Sequence, residues 1–116
     1  MKIITKIIIL TAVVFTFAAC KNNTTQNAAA AQERYRQTLA GQNTCAADSD
    51  CVKIAAGCCQ CDGYAAINKK HFAALTQKKN AMCDGAMCTM QYCFNDVTVS
   101  CQNKKCVATP VKTQIQ

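Results

Sequence analysis

Apolar and polar positions divide the chain into short stretches with different periods. Residues 7–19 form an apolar run without a charge, preceded by Met1, Lys2 and Lys6. That run is too short for a membrane span and suits the core of an export signal. Residues 28–40 are rich in Ala, Gln, Glu and Arg, with Tyr35 and Leu39 four apart, which predicts a short, largely solvated helix stopped by Gly41. Alternation over Cys51-Val52-Lys53-Ile54-Ala55 predicts a strand, broken by Gly57. Tyr64, Ile67, His71, Leu75 and Met82 fall on one stripe at helical spacing. They predict the main helix over about 64–82, with Asp62 as its cap. Residues 89–94 and 97–101 read as strands around an Asn95-Asp96 turn. Gln102-Asn103-Lys104-Lys105 turns the chain back toward Cys106, closing a hairpin.

These elements predict a small disulfide-rich α+β fold: one main helix against a short antiparallel sheet. The expected organisation is a signal peptide over 1–19, a flexible tether over 20–31 and a short helix with connector over 32–44. A cysteine-rich domain over 45–109 and a loose tail over 110–116 complete it.

Eleven cysteines dominate the chemistry of the 116 residues. A segment this small buries too little apolar surface to hold itself together, so cross-links or metal must supply the difference. Phe17-Ala18-Ala19-Cys20 resembles the bacterial lipobox, in which the cysteine is lipidated and becomes the first mature residue. Phe17 stands where that pattern usually has Leu. An ordinary secretory signal is the alternative, but charge, core length and small residues together favour lipidation of Cys20. Ten cysteines then remain: Cys45, Cys51, Cys58, Cys59, Cys61, Cys83, Cys88, Cys93, Cys101 and Cys106. An even number in an exported domain implies five disulfides, whose pairing the sequence leaves open. Cys58 and Cys59 are expected to take different partners. The rival reading is soft-metal binding by Cys59 and Cys61, or by Met82, Met87 and Met90 interleaved with Cys83, Cys88 and Cys93. Exported cysteines usually oxidise, so no metal or other cofactor is expected.

Removing residues 1–19 leaves eleven basic and six acidic side chains, a formal charge of +5. The basic residues are scattered, without a run longer than two or interleaved aromatics, so no nucleic-acid partner is expected. No enzyme is expected either. His71 is the one conventional base and lies in the apolar stripe, where a satisfied, partly buried histidine is the simpler reading than a ligand or base. Ser49 sits between Asp48 and Asp50, which suit turn capping, and the cysteine spacing is not read as a redox pair.

The order of cysteines over 45–106 resembles a group of small exported bacterial proteins with clustered cysteines. They share a C-x5-C with Asp before the second cysteine, then CC-x-C, a helix with Ala-Ile-Asn-Lys-Lys, and a closing C-x4-C hairpin. That resemblance covers about half the chain and implies a lipoprotein whose biochemical role is generally not established. Cys45, Asp48, Asp50, Cys51, Cys58 and Cys59 also resemble the start of the WAP four-disulfide-core domain, many members of which inhibit serine proteases. This chain lacks the preceding inhibitory loop and departs from the pattern after Cys59, so no inhibitory residue carries over.

The expectation is therefore a lipid-anchored module in the bacterial cell envelope. It would sit in the outer membrane of a Gram-negative cell, since Lys21 rather than Asp follows Cys20. Its expected partners are the membrane, through Cys20, and an extracytoplasmic protein or envelope component. A protease inhibitor presenting Lys53, Lys104 or Lys105 is the alternative, and copper or zinc sequestration is the second.

Overall fold

The computed structural model describes residues 23–112. The expected signal peptide, its lipobox and Cys20 lie outside the described residues, as does the end of the tail. The chain runs through helix α1 (Asn23–Gly41), strand β1 (Cys51–Ala55), strand β2 (Tyr64–Asn68), helix α2 (Phe72–Met82), strand β3 (Val97–Gln102) and strand β4 (Lys105–Pro110). It is an α+β fold with two antiparallel two-stranded sheets, β1–β2 and β3–β4, held by five disulfides.

The β1–β2 hairpin is the middle of three layers. Successive residues of a strand face opposite ways. In β1, Val52 and Ile54 turn toward the helices, and their register partners Ile67 and Ala65 share that face. Tyr35 and Leu39 of α1 and Leu75 of α2 close over them, and Ile67 has no exposed surface at all. On the opposite face, Cys51 and Ala66 pack with Cys45, Cys106, Val99 and Ala108 against the second sheet. Each face is small, and the second is built largely of disulfide sulfur.

Four expectations are corrected. The main helix starts at Phe72 rather than near 64, because 64–68 form β2, paired over its whole length with β1. Ala65 and Ala66 favour a helix by propensity. A lone β1 strand would leave its backbone unpaired, however, and pairing outweighs propensity. Asn68 ends the strand. Its side chain accepts the Lys70 amide at 3.0 Å and donates to the Thr44 carbonyl at 2.7 Å, starting the 3-10 turn Lys69–His71 that leads into α2.

The expected flexible tether is helical from Asn23 onward. Nor is α1 merely solvated: Tyr35 and Leu39 are 2 % and 3 % exposed. The expected strand over 89–94 does not form, and residues 86–96 contain no helix or strand.

The hairpin over 97–110 forms as read from the sequence. Its turn places both Asn103 (φ 50°) and Lys104 (φ 62°) in the left-handed region, as the tightest two-residue hairpin turns require.

Candidate functional site

Disulfide connectivity organises the surface. Cys45 pairs with Cys101 and Cys51 with Cys106, fastening the β3–β4 hairpin to β1 and the segment before it. Cys58, Cys59 and Cys61 pair in order with Cys83, Cys88 and Cys93. Cys58 and Cys59 thus take different partners. Cys58 and Cys61 also stand at the C-x-x-C spacing of a redox or zinc pair, a signal hidden by the intervening Cys59. They are directed to separate partners rather than to each other.

The connection between β1 and β2 is what receives the inner three bonds. Cys59 donates its amide to the Asp62 carboxylate at 2.9 Å, folding the 3-10 turn Gln60–Asp62. The Asp62 side chain lies directly over Gly57, and a Cβ at that position would run into it. Gly57 therefore does more than break a strand: it makes room for the carboxylate that shapes the cysteine cluster. Across from this turn, Asn95 donates through Nδ2 to the Gln60 carbonyl.

Two disulfides thus pin the long loop after α2 along the turn, Cys88 at Cys59 and Cys93 at Cys61. From 85 to 95 this loop carries no charge. It holds its large apolar side chains outward: Met87 is 96 % exposed, Met90 104 %, Tyr92 68 % and Phe94 79 %. Tyr92 and Phe94 meet edge to face with centroids 5.0 Å apart. Monomeric proteins rarely leave contiguous apolar surface uncovered without a use for it. Reading 89–94 as a strand obscured this feature; the eleven-residue uncharged run was the signal that could have revealed it.

Lys53 lies mid-strand in β1. It is paired with the Asp96 carboxylate, and its ammonium stands 5.1 Å from the Tyr64 ring centre. The pairing raises the Lys53 pKa and, with a hydrogen bond from the Val97 amide, lowers that of Asp96. Lys53 is thus held by an ion pair within a paired strand. Lys104 occupies a left-handed turn position and Lys105 begins β4. Neither has the extended, unpaired backbone by which an inhibitor loop lies in a protease cleft as an added strand.

Asp50 accepts the amides of Ala46 and Ala47, which hold its carboxyl below the ordinary carboxylate range. Asp48 accepts the Cys101 amide at 2.7 Å. The two acids flanking Ser49 thus shape a turn and join it to β3. His71, half-buried, ends the turn before α2 rather than lying mid-helix.

The sulfurs of Cys45, Cys51 and Cys106 lie within 4.8 Å of one another, because two disulfides are packed side by side. As disulfide sulfurs they lack the thiolate charge that binds zinc or copper. Met87 and Met90 point to solvent while Met82 packs against the core, so the Cys/Met run is not gathered into one ligand set. An open groove of ≈ 610 Å³ runs between the layers, lined by Val52, Phe72, Val97 and Val99 among others. Among the described residues no helix is long and apolar enough to cross a membrane. No known protein family, curated protein or solved structure matches this chain.

Proposed function

We propose that this protein is a lipid-anchored binding module of the bacterial cell envelope, exported through residues 1–19 and held to the membrane by lipid on Cys20. The supporting observation is the closed pairing of cysteines. Cys45 and the nine that follow bond among themselves, which leaves none of them to pair with Cys20. A domain of this size stapled five times belongs in an oxidising compartment. Its cysteine order resembles that of the clustered-cysteine exported bacterial proteins. The reading is non-enzymatic, and the groove beside Phe72 is the surface offered to an envelope protein.

The test is the intact mass of the protein purified from bacterial membranes, before and after reduction and alkylation, with metal analysis of the same sample. The expected result is a chain beginning at an acylated Cys20, with ten alkylatable thiols appearing only after reduction. An unmodified Cys20 would overturn the anchor. Free thiols with bound copper or zinc in the unreduced protein would instead establish metal sequestration.

A further inference from the structure

The apolar loop lies beside the N-terminal part of α1. Three contacts fix its place along α1. At the C-terminal end of that helix, the Gln42 carbonyl accepts the Asn68 amide at 2.8 Å. Midway, Tyr35 donates to the Ala55 carbonyl at 3.0 Å. Toward the N-terminal end, Ala28 and Gln32 share a cavity of ≈ 390 Å³ with Cys58, Cys59 and Met87. The β1–β2 hairpin therefore runs alongside α1, and its cysteine-bearing connection, with loop 85–95 strapped to it, points toward the start of the helix. The β3–β4 turn lies at the other end, where the Cys45 amide meets the Lys104 carbonyl and the Cys106 amide meets that of Asn43.

Cys20 is eight residues before Ala28. The helical part of that interval rises about 8 Å, and the three residues before Asn23 span at most about 11 Å even when fully extended. A bilayer holding Cys20 is thus within reach of the loop and remote from the Lys104 turn. The loop also has the chemistry of an interfacial contact. It is uncharged from 85 to 95, its large exposed apolar side chains are two methionines, a tyrosine and a phenylalanine, and two disulfides fasten it to the connection between β1 and β2. Tyrosine and phenylalanine suit the boundary between headgroups and acyl chains, where the loop's backbone polar groups still find water.

We propose that loop 85–95 is a membrane-interface contact, with Met87, Met90, Tyr92 and Phe94 entering the phospholipid surface that holds the Cys20 lipid. This rests on the lipid-anchored reading above and adds a second point of attachment, which fixes the orientation of the domain on the membrane.

The test uses the full chain purified from membranes and reconstituted in vesicles of zwitterionic and anionic phospholipids. The vesicles include a phospholipid with a photoactivatable acyl chain. After irradiation, lipid adducts are mapped by mass spectrometry, and intact mass records acylation of Cys20 in the same sample. Adducts are expected on 86–94 and not on the Gln102–Lys105 turn. The double variant Met90→Asp/Phe94→Asp should lower loop labelling several-fold while unreduced mass shows all five disulfides retained. Acylated protein without loop adducts overturns the contact and leaves the anchor standing. Such a result with stoichiometric inhibition of a protease that prefers large apolar residues would assign the loop to a protein partner. If Cys20 is unmodified, loop labelling still supports the contact and its absence overturns it.

Discussion

The Tyr35 hydroxyl donates to the Ala55 carbonyl at 3.0 Å, joining α1 to the end of β1 across twenty residues. The ring beneath it is 2 % exposed and belongs to the core with Leu39, Ile54, Ile67 and Leu75. Tyr35→Phe keeps the ring and removes one hydrogen bond, so the expected loss of stability is about 1 kcal/mol. Tyr35→Ala also opens a cavity and should cost about 3–5 kcal/mol. Urea unfolding of the oxidised protein measures both.

Burial also raises the Tyr35 pKa above that of a free phenol. The folded state therefore keeps its proton at a pH where the unfolded chain has lost it. Stability should fall as pH rises above about 10, the ordinary tyrosine value. Tyr35→Phe should show a smaller alkaline decline, read from unfolding midpoints across that range.

Gly57→Ala tests the close approach of Asp62. The added Cβ meets the carboxylate side chain that accepts the Cys59 amide, so the turn must shift. Overpacking of this kind typically costs about 1–3 kcal/mol. Gly41 has open space around it, and Gly41→Ala should not produce the same steric loss. The paired comparison separates a collision from a general intolerance of side chains at glycine positions.

The two groups of disulfides should differ in what their removal does. Cys51→Ser/Cys106→Ser deletes a bond whose two cysteines are 6 % and 5 % exposed, inside the smaller core. The expected loss is about 2–5 kcal/mol, read by thermal unfolding. Cys61→Ser/Cys93→Ser releases one of the two straps on the apolar loop, with Cys61 already exposed. That variant should keep most of its fold, while chymotrypsin cleavage near Tyr92 and Phe94 accelerates.

Acid should weaken the turn at Asp50. Its carboxylate is stabilised by the Ala46 and Ala47 amides, so the folded chain binds fewer protons there than the unfolded one. That contribution is complete above the ordinary carboxylate pKa of about 4 and is lost as pH falls below it. Asp96, lowered chiefly by Lys53, acts in the same direction. Asp50→Asn should flatten the acid side of the stability profile, measured as unfolding midpoint against pH.

The sequence disclosed those elements whose signal was local. Alternation in residues 51–55 suffices for β1, and Gly41 does end α1. The C-x4-C turn carries Asn103, a residue type that tolerates positive φ, and the hairpin follows. β2 was not legible, because Ala65 and Ala66 favour a helix and Tyr64, Ile67 and His71 happen to keep helical spacing. Its strand state comes from β1, a partner beyond its own window. The burial of α1 was hidden for a related reason: two apolar residues make a poor stripe until a cavity of matching shape receives them. In the loop, Cys88 and Cys93 determine the path, and no local rule says where Cys59 and Cys61 will be.

Every disulfide joins one of the first five paired cysteines to one of the last five. A chain that emerges from its N-terminus therefore presents five thiols, from Cys45 to Cys61, before the first correct partner, Cys83, has appeared. During that interval only mismatched bonds are available. Cys45 and Cys51 wait longest, until Cys101 and Cys106 arrive almost at the end. Bonds made while the chain is still emerging can only be mismatched, so reaching this pairing from them takes thiol–disulfide exchange, whereas a chain oxidised after all ten cysteines are present can form it directly.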